Sequence, residues 1–391
     1  MRALTARAAT AWCFFVSGVT LSSWFVRMPD VRDALALTNR DVGLASFVVA
    51  GAAILAMHPA GRFAAREGTA PLLRVSVVAL PLLPLAATVA PGGSGFWVLL
   101  TVFGLTVGAL DVAMNGHAVT VERVLERPVL SGFHAAWSAG AIAGAAGAGA
   151  AAGAGLSPRA HFAVVGVFLV VASVVAIDGL LPATVDRSAP SARRVRARWR
   201  AGLVRLGVLG GACALAEGAA LTWSAVFMTD ERSASSAVAA LAYLSLAVAM
   251  AAGRLAGDRL RTRWSTGGLL RAGAWCSAAA LATALLVPSA AATALAFGVC
   301  GLGLSVLLPV LIGAVGEQFG RRDGAVGPAI ARFTTVSYAG VLSGPVVIGA
   351  ITEAYGLTVA LVLPVLLLAV VGIDAPRAVT PIPANQQRQA E

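Results

Sequence analysis

Apolar stretches of about 20 residues, the length that carries a helix across a bilayer, alternate along the chain with short polar breaks. They lie near residues 7–28, 40–60, 71–90, 95–120, 133–155, 160–181, 203–228, 237–257, 267–287, 291–316, 329–351 and 357–374. The pattern predicts an all-α membrane protein with twelve transmembrane helices. The first stretch follows Arg2 and Arg7 as the apolar core of a signal peptide would. It is longer than such a core and runs into a charged loop, so it reads as a retained first helix.

One stretch differs in make-up from the others. Residues 133–155 read FHAAWSAGAIAGAAGAGAAAGAG. In water this much glycine weakens a helix by about 1 kcal/mol per residue relative to alanine. In hydrocarbon the backbone has no other partner, so a helix forms regardless, and small residues let neighbouring helices approach. Gly140 and Gly144 sit four apart on one face, and a shift of 200 residues places them on Gly340 and Gly344, beside Pro345. The same shift superposes Cys13 on Cys213, Met28 on Met228, Asp30 on Asp230 and Phe133 on Phe333. The repeat predicts two pseudo-symmetric six-helix bundles, 1–182 and 203–376, with a basic linker at 183–202 and a polar tail at 377–391. This is the plan of carriers that rock one half against the other around a central site. Close glycine contacts between the halves would serve that motion; ordinary helix packing accounts for the glycines equally well.

Composition supports the bilayer assignment and then changes the meaning of the charge. Of 391 residues 58% are hydrophobic and only 12% charged, about half the charge of a soluble domain. The net charge of +11 would point to nucleic acid in a soluble protein. Here all 29 basic residues are arginine, and if the N-terminus is cytoplasmic only Arg27, Arg32, Arg40, Arg159 and Arg232 fall outside. That bias places both termini in the cytoplasm. The densest run, RRVRARWR at 193–200, then meets anionic lipid, and no nucleic-acid partner is expected. An alanine-rich, lysine-free chain fits a GC-rich bacterial genome, so a bacterial inner membrane is the expected location. The four cysteines all lie in apolar runs and read as packing residues, with no disulfide framework and no metal or cofactor site. No hydrolase, zinc-protease or phosphate-loop motif is present, which argues against an enzyme and against ATP as the energy source.

Three segments, WFVRMP at 24–29, DVAMNGHAVTVERVLERPVLSGFHAAWSAGAIAGA at 111–145 and EGAALTWSAVFMTD at 217–230, resemble a branch of uncharacterised bacterial permeases related to fucose-type sugar permeases. Over nearly its whole length the chain resembles the major facilitator superfamily. That family carries a loop signature G-x-L-A-D-R-x-G-R-R after the second helix. GRFAAREG at 61–68 keeps Gly61, Arg66 and Gly68 but has Ala65 in place of the acid, while GRLAGDRLRTR at 253–263 keeps Gly253, Asp258 and Arg259 with one extra residue. The resemblance implies that these residues latch helices together in one conformation. It also implies that the first, fourth, seventh and tenth helices line a central cavity. The drug-antiporter signature of the fifth helix is absent, which disfavours an efflux pump for an amphipathic drug or metabolite, the competing function.

Ionisable groups inside a span cost roughly 2.5–3.5 kcal/mol on insertion scales, so each needs a reason. Asp111 and Glu217 are the proton-coupling candidates, because a carboxylate in an apolar helix is costly when charged and cheaper when protonated. A hydrogen bond between helices would explain them as well. Asn115, Ser224, Trp137 and Arg27 are the candidates for contact with solute. Arg27 can also be an anchor at the outer boundary, where Trp24 and Trp223 are expected. His117 and His134 flank the inner loop after the fourth helix and are possible proton relays. The expected function is a monomeric, proton-coupled secondary transporter of a small, polar, sugar-like solute. A non-transporting receptor or scaffold is the alternative of another class.

Overall fold

The computed structural model describes residues 2–90, 92–126, 129–186, 201–320 and 326–379. Among them every regular element is helical. The twelve spans are α1 (Arg2–Val26), α2 (Asn39–Glu67), α3 (Thr69–Ala79), α4 (Gly92–Leu125), α5 (Leu130–Gly153), α6 (Pro158–Ala176), α7 (Ala201–Arg232), α8 (Ser236–Arg263), α9 (Thr266–Leu286), α10 (Ala290–Val315), α11 (Val326–Tyr355) and α12 (Val362–Ala378). The end of the bundle where α1 begins and α12 finishes is called the near end, and the opposite one the far end. Eleven of the spans, the third counted on to Val89 and the twelfth from Leu357, are long and apolar enough to cross a membrane. The remaining one is α5, whose 24 residues supply backbone but little apolar bulk; it is held between α1 and α8.

Local chemistry explains where the helices start and break. Ser157, Ser235, Ser265 and Ser289 cap α6, α8, α9 and α10, each accepting from the backbone N–H three residues on, an interaction worth about 1 kcal/mol. Thr38 and Asp41 form a reciprocal capping box at α2. Pro81 and Pro84 interrupt the third span, which continues through a 3-10 turn at Leu80–Leu82 into the helix Leu83–Val89. Gly68 ends α2 with φ of 84°, a left-handed conformation that glycine adopts without strain.

Within the first half α1 packs on α5 and α2 on α4; within the second, α7 packs on α11 and α8 on α10. These pairs correspond under the 200-residue shift, so the repeat in sequence is a repeat in packing. The halves meet through α2 on α11 and α5 on α8. Of the linker expected at 183–202, the part at 187–200 lies outside the described residues, as does 380–391 of the tail; Ala183–Asp186 is a short helix and α7 is under way from Ala201.

Of the two readings of these glycines, helix packing within a half describes Gly140, Gly144, Gly340 and Gly344. Gly140 abuts the Phe15 backbone, Gly144 abuts Val19 and Ser22, and Gly340 abuts Gly211, all within one half. Gly344 sits near Leu215, again within its half. Contacts between halves come instead from Gly149 on Ala240, and from Gly43 against Pro345 and Gly349. Four-residue spacing defines a small-residue face but does not name the helix that covers it.

Those inter-half contacts gather toward the far end. Val26, Ala145 and Ala148 pack against Ala240 and Tyr243 in a small buried cluster, and Phe25 stacks on Tyr243 at 6.2 Å. The short helix Met28–Ala34 after α1 adds the polar ties. Arg32 donates to both carboxylate oxygens of Asp230 at 2.5 and 2.8 Å, and also to Asn39 Oδ1 at 2.9 Å. The bond to Asp230 raises the Arg32 guanidinium above its usual value. Ser236 donates to Asp30.

Candidate functional site

Glu217 lies at the middle of α7, and its Oε1 accepts a hydrogen bond of 3.1 Å from Arg254 Nη2 on α8. Both side chains line a cavity between α5, α7 and α8 whose wall includes Trp137, Ser138, Tyr243 and Met250. A helix interior is a poor solvent for either charge alone, and the pair offsets part of that cost. Arg254 remains 38% exposed and Glu217 20%, so the pair borders open space.

Asp111 on α4 accepts from Asn115 Nδ2 at 3.2 Å, one turn away on the same face; the same amide also donates to the Asp111 carbonyl at 2.9 Å. His134 on α5 and Tyr338 on α11 lie close enough to interact electrostatically with Asp111. His134 packs edge-on against Phe14 at 5.3 Å, and its carbonyl accepts from Ser138 at 3.1 Å. The two acidic clusters therefore meet α5 on consecutive turns, Asp111 beside His134 and Glu217 in the cavity walled by Trp137 and Ser138.

The other sequence candidates fall elsewhere. Arg27 is 2% exposed and sits at the far end, where its Nη2 donates to the Leu156 carbonyl at 2.7 Å. Its Nε lies 2.7 Å from Asp30 Oδ2, as an ion pair rather than an aligned hydrogen bond. Arg27 lines a recess at the far end with Asp30, Ser157 and Ser236, apart from the cavity beside Glu217. Ser224 is fully buried with its hydroxyl unpartnered. Trp24 and Trp223 are buried rather than at a lipid boundary; Trp24 packs against Phe103 and Phe162.

His117 is also buried. Its Nδ1 is 2.8 Å from Thr69 Oγ1, and its Nε2 accepts the Leu181 backbone N–H at 3.2 Å, so it joins α4 to the start of α3 and to the chain after α6. At the latch positions, Arg66 is exposed and Gly61 half-buried. Gly253 presses on Ser305 of α10, while the side chains of Asp258 and Arg259 lie outside the described residues. Sequence reasoning missed Arg254, although it lies inside an apolar stretch and carries the same insertion cost as the acids. Tyr338 carried no such signal, because a tyrosine in a span needs no special reason.

Residues 10–326 match the profile of the Major Facilitator Superfamily. An uncharacterized MFS-type transporter of Yersinia pestis is 33% identical over 384 residues, covering 96% of each chain. Among solved structures, a mutant of the nucleoside transporter NupG superposes with a TM-score of 0.78 at 12% identity, covering 96% of this chain and 100% of that one. A bacterial homolog of the human lysosomal transporter Spinster, in an inward-facing and occupied conformation, gives 0.77 at 13% identity, covering 97% and 98%.

Proposed function

The chain belongs to the Major Facilitator Superfamily of membrane transporters, and from that premise we propose that it is a proton-coupled secondary carrier of a small organic solute. The single observation that carries this is the placement of Glu217 and Asp111. Both are acids in apolar helices, and Glu217, with its arginine partner, borders the cavity between halves. A buried carboxylate that changes protonation as it is exposed first to one side and then to the other moves a proton with each cycle. His134, next to Asp111, is the residue through which a proton reaches it; Trp137 is the aromatic surface for the solute. The two bundles, 1–182 and 203–376, are the bodies that rock.

The arginine bias supports a bacterial inner-membrane location with the near end in the cytoplasm. In that orientation the far-end contacts of Arg32, Asp230 and Tyr243 close the outer side, so the conformation faces inward. In proteoliposomes carrying the purified protein, Glu217→Gln is expected to abolish solute accumulation driven by a pH gradient. Exchange of solute for solute should persist, because exchange does not require release of the proton. If Glu217→Gln and Asp111→Asn each accumulate solute like the parent, these acids do not couple transport to protons.

A further inference from the structure

Arg254 is the group at this cavity that proton coupling alone leaves unexplained. Its guanidinium carries five N–H donors and stays charged at any physiological pH. Among the described residues it makes one hydrogen bond, to Glu217, and its side chain borders the cavity at 38% exposure. Among the described residues lining that cavity, Glu217 is the only carboxylic acid and Arg254 the only base; Trp137, Tyr243 and Met250 make an aromatic and apolar wall around them. With Glu217 ionised the wall is neutral overall. With Glu217 protonated, it holds an uncompensated arginine in a low-dielectric site, which is costly until an anion replaces the lost carboxylate.

We propose that the transported solute is an organic anion, whose carboxylate or phosphate takes the place of Glu217 on Arg254 when Glu217 is protonated. The inference rests on the carrier reading above and adds the substrate class. It also supplies a physical reason for tight coupling. The empty site (Glu217 ionised, paired with Arg254) and the site loaded with proton and monoanion are both neutral, whereas either half-loaded site carries a net charge through the membrane interior. The proton rides on Glu217 and the anion on Arg254; no bond between heavy atoms forms or breaks. A guanidinium matches a carboxylate or phosphate with two parallel hydrogen bonds, and the half-buried Trp137 offers a ring face for the organic body. The other titratable groups against the pair are Cys213 one turn earlier on α7 and Tyr243 on α8; His134 and Tyr338 face Asp111 instead. The Arg205–Asp374 pair joins α7 to α12 toward the near end.

The test uses the purified full-length protein and measures binding by thermal stabilisation at about pH 6 and about pH 8. The probes are D-glucuronate, L-lactate and glucose 6-phosphate, with D-glucose and glycerol as neutral counterparts. At least one anion should bind and its neutral counterpart should not. Its affinity should weaken with rising pH, by up to about tenfold per unit once Glu217 ionises. Glu217→Gln should keep anion binding and remove the pH dependence. Arg254→Gln should lose anion binding, and Arg254→Lys should restore part of it, which separates loss of charge from loss of fold. Neutral solutes binding as tightly as the anions, anion binding that survives Arg254→Gln, or no anion binding at all would each overturn the proposal. If a neutral solute accumulates in proteoliposomes and Arg254→Gln leaves this unchanged, the carrier reading stands and the anion assignment fails. If anions bind through Arg254 but no solute crosses the membrane, the anion site stands and the carrier reading fails.

Discussion

Two histidines that the sequence places on either side of one loop end in opposite surroundings. His117 is buried with both ring nitrogens engaged, one by Thr69 and one by the Leu181 backbone, whereas His134 is exposed beside Asp111. Replacing His117 with alanine leaves the buried Leu181 N–H without its acceptor, a loss of about 1–3 kcal/mol. His134→Ala removes little packing and should change stability by less than about 0.5 kcal/mol. The expected outcome is a lowered unfolding temperature for His117→Ala, and near-parental stability with impaired pH-driven accumulation for His134→Ala. Parental accumulation by His134→Ala would remove it from the proton path. Sequence alone could not rank the two, because the difference lies in Thr69 and Leu181, which are remote along the chain. The intramembrane acids were legible, since their cost depends only on being inside an apolar stretch.

At the scale of one helix, α5 shows how small residues replace apolar bulk. A Cβ added at Gly144 would fall within contact distance of Ser22 and the Val19 backbone on α1, whereas at Gly147 it would meet nothing within 4 Å. Gly144→Ala should therefore destabilise the protein by about 1–3 kcal/mol through overpacking. Gly147→Ala, three residues away in the same helix, should be neutral or slightly stabilising. Thermal unfolding of the two purified variants checks this, and equal losses would show that the backbone contact is not what the glycine serves. The glycine spacing was visible in the sequence. Its partner was not, because any of several helices can cover a small-residue face.

For the whole molecule, the far-end tie between Arg32 and Asp230 sets the balance between open and closed states. It joins the two halves through two charge-assisted hydrogen bonds on side chains 14% and 24% exposed, a contribution of about 1–2 kcal/mol. Losing it should shift the equilibrium toward the outward-open state by roughly tenfold. Val26 is buried in the inter-half cluster, so a Val26→Cys reporter is shielded while that end is closed. In intact cells a membrane-impermeant thiol reagent should label this cysteine faster after Arg32→Ala or Asp230→Ala, and no faster in the double variant than in either single one. Unchanged labelling would mean the pair does not hold the closed state. Labelling confined to inverted vesicles would reverse the proposed orientation.

What the sequence determined by itself was the membrane plan: twelve spans, two related halves and the acids inside them. Each follows from a local energetic cost, since a backbone in hydrocarbon must form helix and a charge there must have a reason. What only the tertiary structure decided was who meets whom. The pairing of Glu217 with Arg254, the inward turn of Trp24 and Arg27, and which glycines meet within a half (Gly140, Gly144, Gly340, Gly344) and which between halves (Gly43, Gly149) all depend on which helix faces lie together. Such contacts join residues tens to hundreds of positions apart, and their energies arise only once the bundle has closed around them.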